Sequence, residues 1–201
     1  MILEHTLDLF THPDKAWQDI RKEHPDTKKL YLRHILILAL IPVGAAYYGT
    51  TQVGWSIAGG EPVRLTPESA ANLCALAYMA ILAGIYILGR FIDFLAGTYG
   101  VDGKEHRGIE LAAYTATPLL IIGAILLYPH LWINMFAGLI GMTYALYLLY
   151  EGLPILMNIP PERGFMFASS VLTVGLVMLV GLLGITVIVW SVGIGPVYVS
   201  H

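Results

Sequence analysis

The chain has 201 residues, of which 57% are hydrophobic and only 12% are charged. A soluble domain carries roughly 25% charged residues, so this composition excludes most soluble folds. A globule of this size keeps a large surface, and the apolar residues cannot all be packed inside it. Much of the apolar surface must therefore contact lipid.

The segment 1–33 differs from the rest of the chain because it holds twelve of the 25 charged residues (11 basic and 14 acidic in all). Apolar residues recur there at helical spacing, first Ile2, Leu3, Leu7 and Phe10, then Trp17 and Ile20 after Pro13. We predict short amphipathic helices that form an N-terminal arm, residues 1–33, on the inner membrane surface or under the helix bundle. A docking surface for a partner is the alternative.

The rest of the chain, 34–201, contains only 13 charges, which are separated by long uncharged gaps. A helix crosses a bilayer with about 20 apolar residues. The longest gap, from Glu110 to Glu151, is broken by Tyr128-Pro129-His130, which indicates a tight turn between two antiparallel helices. We predict an all-α polytopic membrane protein whose transmembrane domain, 34–201, has five transmembrane helices, at about 35–57, 69–95, 109–127, 131–154 and 165–192.

Basic residues flanking the spans predict the orientation. Alternate flanking segments hold nine Lys and Arg residues against one, so the positive-inside rule places the N-terminus in the cytoplasm and the C-terminus outside. Trp55, Trp132 and Trp190 all fall at predicted outer ends, where indole rings favour the membrane interface.

The sequence has no motif typical of an enzyme. It contains no Gly-rich phosphate loop, no pair of histidines four residues apart and no serine nucleophile elbow. We therefore predict a protein that is not an enzyme and has no nucleic-acid partner. The expected partners are the lipid bilayer and, through small-residue helix faces, a second copy or other membrane proteins.

Four ionisable residues lie in or at the edge of the predicted spans: Arg90, Asp93, Glu110 and Glu151. Charge in lipid is costly, so such groups are the first candidates for a functional site. Glu110 and Glu151 each lie about 27–29 Å along their helices from the shared turn, near the inner surface. Arg90 and Asp93 occupy the inner end of the second span. Three carboxylates and one guanidinium are therefore predicted at one depth.

Oxygen atoms surround this predicted layer. Tyr114 and Tyr150 place phenols beside the two glutamates, and the candidate helix-kink residues Pro118 and Pro154 each free a backbone carbonyl nearby. Such an environment suits a divalent cation or a proton. The candidate metal ligands are Glu110, Glu151, Asp93 and His106, with Arg90 setting the net charge.

Each residue also has a structural interpretation. Arg90 and Asp93 are three residues apart and can neutralise each other. Glu110 can stabilise the N-terminal end of its helix. Glu151 can serve in a structural pair, and the neighbouring tyrosines can simply pack between helices. The sequence alone leaves these alternatives open.

Three segments resemble the YIP membrane-domain family, whose name refers to proteins that interact with Rab-type GTPases: Ala113-Tyr114-Thr115-Ala116-Thr117-Pro118, Tyr147-Leu148-Leu149-Tyr150-Glu151-Gly152-Leu153-Pro154, and Ile159-Pro160-Pro161-Glu162-Arg163-Gly164-Phe165. The stretch from Phe10 to Ile20 is similar to the start of the family's short bacterial branch. The likeness covers nearly the whole chain.

The resemblance implies five membrane helices, a cytoplasmic N-terminus and a location in the bacterial inner membrane. Eukaryotic members are implicated in vesicle traffic and membrane shaping, and their longer N-terminal region in contacts with GTPases. Only the short arm, 1–33, precedes the spans here, which gives little ground for expecting GTPase binding. The resemblance therefore implies a membrane-organising or scaffolding role, and the acidic layer suggests cation or proton binding and permeation as the alternative.

Overall fold

A computed structural model describes residues 8–23, 30–56, 61–101 and 107–199. Five helices in it are long and apolar enough to cross a membrane: Arg33–Val53, Pro67–Tyr99, Gly108–Leu127, Leu131–Leu156 and Pro161–Ser191. No β-strand forms in these described ranges, where only isolated backbone bridges occur. The predicted all-α architecture with five transmembrane helices is confirmed.

We number the helices in chain order. The arm contains α1, Pro13–Glu23, preceded by a helical turn at 8–11. The five spans are then built on α2 (Leu36–Tyr48), α3 (Pro67–Ala96), α4 (Gly108–Ile122), α5 (Leu131–Leu156) and α6 (Pro161–Ser191). Turns of π-helix flank α2 at Tyr31–Ile35 and Gly49–Val53, and α4 continues as a 3-10 helix over Gly123–Leu127.

The observed ends of the helices differ from the predicted ones by a few residues, for local reasons. The first span ends at Val53 instead of residue 57, because Gly54 turns the backbone to φ +79°, a conformation that favours glycine. The last span begins at Pro161 instead of residue 165, since proline suits the first turn of a helix. Arg163, expected in a connection, therefore lies in the first turn of α6.

The buried core is concentrated where the arm meets the bundle. Helix α4 is the most buried element and packs between α3 and α5, with α2 beside it and α1 against α5. Helix α6 contacts α3 and α5, and its buried residues lie in its first half: Gly164, Phe167, Ala168 and Val171 are buried, whereas no residue from 172 to 191 is. Residues 177–191, which we call the outer half of α6 after the predicted orientation, are therefore not buried within the described part of the chain.

The opposite end of the bundle is closed by the connection after α2 and by the C-terminal tail. Trp55 pairs with Val63 and Leu65 with Tyr198 through backbone bridges, and Ser69 donates a hydrogen bond from Oγ to the Gly195 carbonyl at 3.1 Å. Trp132 begins α5 and Trp190 lies at the end of α6. These contacts and helix ends place Trp55, Trp132 and Trp190 at one end of the bundle. Which side of the membrane this end faces stays a prediction.

Glycines allow close helix contacts at some positions and face open space at others. A Cβ at Gly141 would lie 2.8 Å from Cγ2 of Ile122, whereas a Cβ at Gly138, one turn earlier on α5, would meet nothing within 4 Å. We expect Gly141→Ala to lower the free energy of unfolding by about 1–3 kcal/mol through overpacking. Gly138→Ala, the matched control, should be neutral or slightly stabilising. Unfolding curves in mixed micelles measure both, and equal stability of the two variants would contradict the prediction.

Candidate functional site

A buried ion pair lies at the start of α4. Arg107 and Glu110 are 5% and 6% exposed, and the guanidinium contacts the carboxylate directly. Burial removes both charges from water, so each needs the other to offset the cost of desolvation. The predicted site residue Glu110 is therefore neutralised by an arginine three residues before it.

The same guanidinium holds the arm. Arg107 donates from Nη2 to the carbonyl of Ile20 at 2.8 Å and from Nη1 to that of Arg21 at 2.9 Å. These carbonyls belong to the last turns of α1, where a helix leaves acceptors without internal partners. A cation there also favours the helix dipole. Arg107 thus joins the arm to α4, a role that sequence analysis missed by assigning this residue to a connecting loop.

Asp93 caps the N-terminus of α4. Its Oδ1 accepts a hydrogen bond from the Gly108 backbone N–H at 2.7 Å, and its Oδ2 lies 3.8 Å from Nη1 of Arg90, whose side chain is 63% exposed. The backbones come close here because Gly89 and Gly108 lack side chains: a Cβ on Gly89 would be 2.6 Å from the Ile109 Cα. Asp93 therefore fastens α3 to α4 and Arg90 lies beside it on the same helix, which agrees with the structural interpretation of the pair.

A column of polar side chains continues from this ion pair into the bundle. Arg107, Glu110, Tyr114 and Thr117 recur at spacings of three and four residues, so they share one face of α4. Thr117 Oγ1 lies 2.9 Å from Nε2 of His34, whose ring is 5.1 Å from that of Tyr114. All of these side chains are buried. Sequence analysis did not single out His34 or Thr117, although the spacing on α4 was a usable signal for Thr117.

The Glu151 side chain faces the arm and does not face Glu110. Its carboxyl group lies near that of Asp14 on α1, and Tyr147 lies near both. The next residue, Gly152, receives the indole ring of Trp17, and a Cβ at Gly152 would overlap that ring. Trp17 is fully buried and meets Tyr114 edge-on, with ring centroids 6.2 Å apart.

The tyrosines mainly connect helices. The Tyr150 hydroxyl lies 3.0 Å from Ser169 Oγ on α6, and its ring packs against Phe165. The Tyr144 hydroxyl donates to the Leu9 carbonyl of the arm at 2.8 Å. Tyr31, which precedes the first span, donates to the Leu82 carbonyl, and burial raises the pKa of its phenol, which keeps it a neutral donor. Tyr150 was predicted to serve Glu151, and the structure gives it another partner.

The three described carboxylates of the predicted cation site have different neighbours. Glu110 pairs with Arg107, Asp93 caps α4 and Glu151 lies near Asp14. Within the described ranges, no group of three or more His, Cys, Asp or Glu side chains is arranged to hold a metal ion. His106, the fourth candidate ligand, lies outside these ranges. Equal depth along two helices does not determine which way their side chains point, so cation binding at this layer stays a prediction.

Pro118 and Pro154 lie inside α4 and α5, and both helices continue past them. Pro154 packs against the start of α6: a Cβ at Gly164 would be 2.7 Å from the Pro154 Cβ. Beside Pro118, the Thr117 hydroxyl donates to the Ala113 carbonyl at 3.1 Å. The contact at Pro154 therefore joins α5 to α6, and the hydrogen bond beside Pro118 stays within α4.

We call the contact between arm and bundle the seam. It comprises Leu9, Asp14, Trp17, Ile20 and Arg21 on the arm, and Arg107, Tyr144, Glu151 and Gly152 on the bundle. Of the four ionisable residues that sequence analysis selected, Glu151 lies in the seam itself and Glu110 is joined to it through Arg107. The seam is the part of the described structure where buried charge and interhelical contact coincide.

Comparisons with known proteins agree with this architecture. The Yip1 domain family profile matches residues 7–182. Inner membrane protein YohC of Escherichia coli strain K12 is 38% identical over 191 residues, which cover 95% of this chain and 98% of that protein. The protein of the same name in Escherichia coli O6:H1 strain CFT073 gives the same values. No solved structure matches this chain.

The match to an inner membrane protein and the five apolar spans confirm the predicted inner-membrane location. The family profile begins within the arm and ends in α6, so it includes both sides of the seam. Because the family profile matches residues 7–182 and the relative is 38% identical over 95% of the chain, the chain belongs to the Yip1 domain family.

Proposed function

We propose that this protein is a non-enzymatic, membrane-organising scaffold that associates with a second copy of itself through the outer half of α6. One observation carries the proposal: Arg107 of the seam binds within the chain, whereas the apolar residues 172–191 of α6 are not buried by the described part of the chain. The seam then gives the scaffold a rigid frame.

The seam supports a structural role because its strongest polar groups already have internal partners. Arg107 binds Glu110 and two arm carbonyls. A group that is buried and bonded in this way must lose those bonds before it can bind a substrate, which costs about 1–3 kcal/mol for each one left unsatisfied.

Helix α6 supports self-association. Its outer half buries no residue within the chain, and Gly175, Gly181 and Gly184 would each accommodate a Cβ with nothing within 4 Å. Glycines that face lipid allow another helix to approach closely, and such approach drives association in bilayers, where apolar side chains gain nothing by leaving lipid. A second copy is the natural partner because most oligomers are symmetric assemblies of one chain.

Energy transfer between copies in lipid vesicles tests this proposal. Donor and acceptor dyes are attached to a cysteine at the exposed position Gln18, in a chain where Cys74→Ser leaves no other thiol. We expect transfer above the level of random mixing. The double substitution Gly181→Leu and Gly184→Leu should lower it several-fold without changing thermal unfolding, because a Cβ at either position meets no described atom within 4 Å.

Gly138→Leu on α5 is the matched control, since that glycine also faces open space. Transfer should survive this substitution. Transfer at the random level in the parent chain, or an equal loss in the control, would overturn self-association through α6.

A cation- or proton-binding protein is the alternative that Glu110 and Glu151 suggest. The pairing of Glu110 with Arg107 weighs against this alternative, because the arginine already neutralises that carboxylate. Ion flux through vesicles that contain the protein separates the two functions. Flux that disappears in Glu151→Gln, while the transfer signal persists, would favour permeation over the scaffold.

A further inference from the structure

A cavity of about 340 Å³ lies between the first turns of α3 and the C-terminal tail, residues 192–199. Glu68 and Asn72 line it from α3, and Ile194 and Val197 line it from the tail. Binding sites for small organic molecules begin at about this size, whereas one water molecule in the liquid takes only about 30 Å³. The cavity therefore fits an organic ligand better than a bare metal ion.

The two walls of the cavity are fastened to each other by hydrogen bonds. Ser69 Oγ donates to the Gly195 carbonyl at 3.1 Å and accepts from the Val197 N–H at 2.9 Å. The Thr66 N–H donates to the Val197 carbonyl at 2.9 Å. Because these bonds hold both walls in place within the folded chain, a ligand would not have to order the site before binding to it.

Two polar side chains in the cavity are available to a ligand. Glu68 and Asn72 are four residues apart on α3, so they lie on the same side of that helix. Across the described ranges, no hydrogen bond or ion pair joins either side chain to another group. Their neighbours Thr66 and Ser69, in contrast, use their hydroxyl groups to cap α3 and to bind the tail.

The charge of the cavity is negative. Of the described residues that line it, Glu68 alone is charged. The positive end of the α3 dipole and the negative end of the α6 dipole both border the cavity and oppose each other, so the carboxylate decides the sign. Arg64, the nearest basic residue in the sequence, packs beside Gly54, where a Cβ would lie 2.8 Å from the Arg64 Cγ. A cation therefore complements this site.

The cavity lies beside a tryptophan of the kind found at membrane surfaces. Trp190 is 48% exposed, and a Cβ at Gly195 in the cavity wall would lie 3.7 Å from the Trp190 Cβ. Indole rings favour the membrane interface, where lipid headgroups meet water. A cationic ligand can therefore reach the cavity from the headgroup layer or from the aqueous side.

We propose that this cavity binds the ammonium group of an organic amine. The Glu68 carboxylate is the counter-ion, the Asn72 amide oxygen accepts a hydrogen bond from the ammonium, and Ile194 and Val197 contact the carbon atoms next to the nitrogen. The amine belongs either to a lipid headgroup or to a soluble molecule. The site is formed by a single chain and does not depend on association through α6.

Two measurements on the full chain in dodecyl maltoside micelles separate these sources. In the first, the protein is mixed with equal amounts of dioleoyl phosphatidylethanolamine and dioleoyl phosphatidylglycerol, which differ only in the headgroup, and is then separated by gel filtration. For a headgroup amine, we expect the retained lipid to contain an excess of phosphatidylethanolamine on the order of fivefold. In the second, calorimetric titration with butylammonium chloride detects a soluble amine as saturable binding.

Glu68→Gln removes the counter-ion and keeps the shape of the cavity, so it should abolish most of the signal from either source. Asn72→Leu removes the second acceptor and should lower the signal less. Glu162→Gln is the matched control, because Glu162 is also exposed and also follows a proline in the first turn of a long helix, at the start of α6. It removes the same charge from the other end of the bundle and should keep the signal.

A signal from either amine that depends on Glu68 and not on Glu162 supports the proposal. The proposal is overturned if the parent chain shows neither an excess of phosphatidylethanolamine nor saturable binding of butylammonium. An equal loss in Glu68→Gln and Glu162→Gln also overturns it, because net charge would then explain the effect. If thermal unfolding shows that Glu68→Gln does not fold, Asn72→Leu replaces it, and an unchanged signal in that variant counts against the site in the same way.

Discussion

Replacing Arg107 with alanine should lower the free energy of unfolding by about 3–5 kcal/mol, because it leaves the Glu110 carboxylate buried without a partner. The substitution also removes two hydrogen bonds to the end of α1, so the arm should detach from α4. Unfolding in mixed micelles, followed by tryptophan fluorescence, gives the stability.

The partner of Arg107 provides the internal test. Glu110→Gln in the Arg107→Ala background removes the unpaired charge and should recover a large part of the loss, although it cannot restore the arm contacts. Arg90→Ala is the matched control, since that arginine is 63% exposed and lies 3.8 Å from its carboxylate. It should cost under about 1 kcal/mol. A similar cost for Arg107→Ala and Arg90→Ala would refute the buried pair as a main source of stability.

Gly152→Val should displace the arm, because the new side chain would occupy the space of the Trp17 indole. A ring that is fully buried in the parent chain would lose its site, at a cost of about 3–5 kcal/mol, similar to that of truncating a buried tryptophan. In a chain that carries Cys74→Ser, maleimide labelling of Ala16→Cys, a buried position of the arm, should then approach the rate of Gln18→Cys, an exposed position on the same helix.

Gly138→Val on the same helix is the control for the effect of a branched residue in α5, since position 138 is open. It should leave both arm labelling and stability nearly unchanged. Trp17→Ala removes the ring from the other side and should not be additive with Gly152→Val, because both substitutions empty one contact. If Ala16→Cys stays fully protected from the maleimide in Gly152→Val, Trp17 does not pack against Gly152.

The spans were predictable because a bilayer requires about 20 consecutive apolar residues, a feature that can be read along the sequence. Charges end apolar segments, and the gaps between Arg33 and Glu61 or between Glu68 and Arg90 can be measured directly along the chain. The exact ends depended on local chemistry such as the positive φ of Gly54 and the helix-starting Pro161. Gly54 and Pro161 are visible in the sequence, but the predicted ends of the first and last spans did not take their backbone preferences into account.

The candidate site was predictable only in part. The selection of Glu110 and Glu151 as site residues stays a prediction, whereas the interpretation of Arg90 and Asp93 as a pair agrees with their 3.8 Å separation. Arg107 was overlooked since it precedes an apolar segment and resembles an ordinary flanking cation. Trp17 was assigned to an apolar stripe, with no indication that Gly152, far along the chain, would receive it.

By itself, the sequence determined that the chain crosses a membrane five times and where its few charges occur along each span. Hydropathy and length suffice for this, because every residue in a span meets the same solvent requirement. Only the tertiary structure decided the partners of those charges. Partner choice depends on the rotation of each helix about its axis and on which small residues admit a neighbour, and both are settled by packing between segments far apart in the chain. Glu110 and Glu151 share a level in the sequence, and helix rotation turns one to Arg107 and the other to the arm.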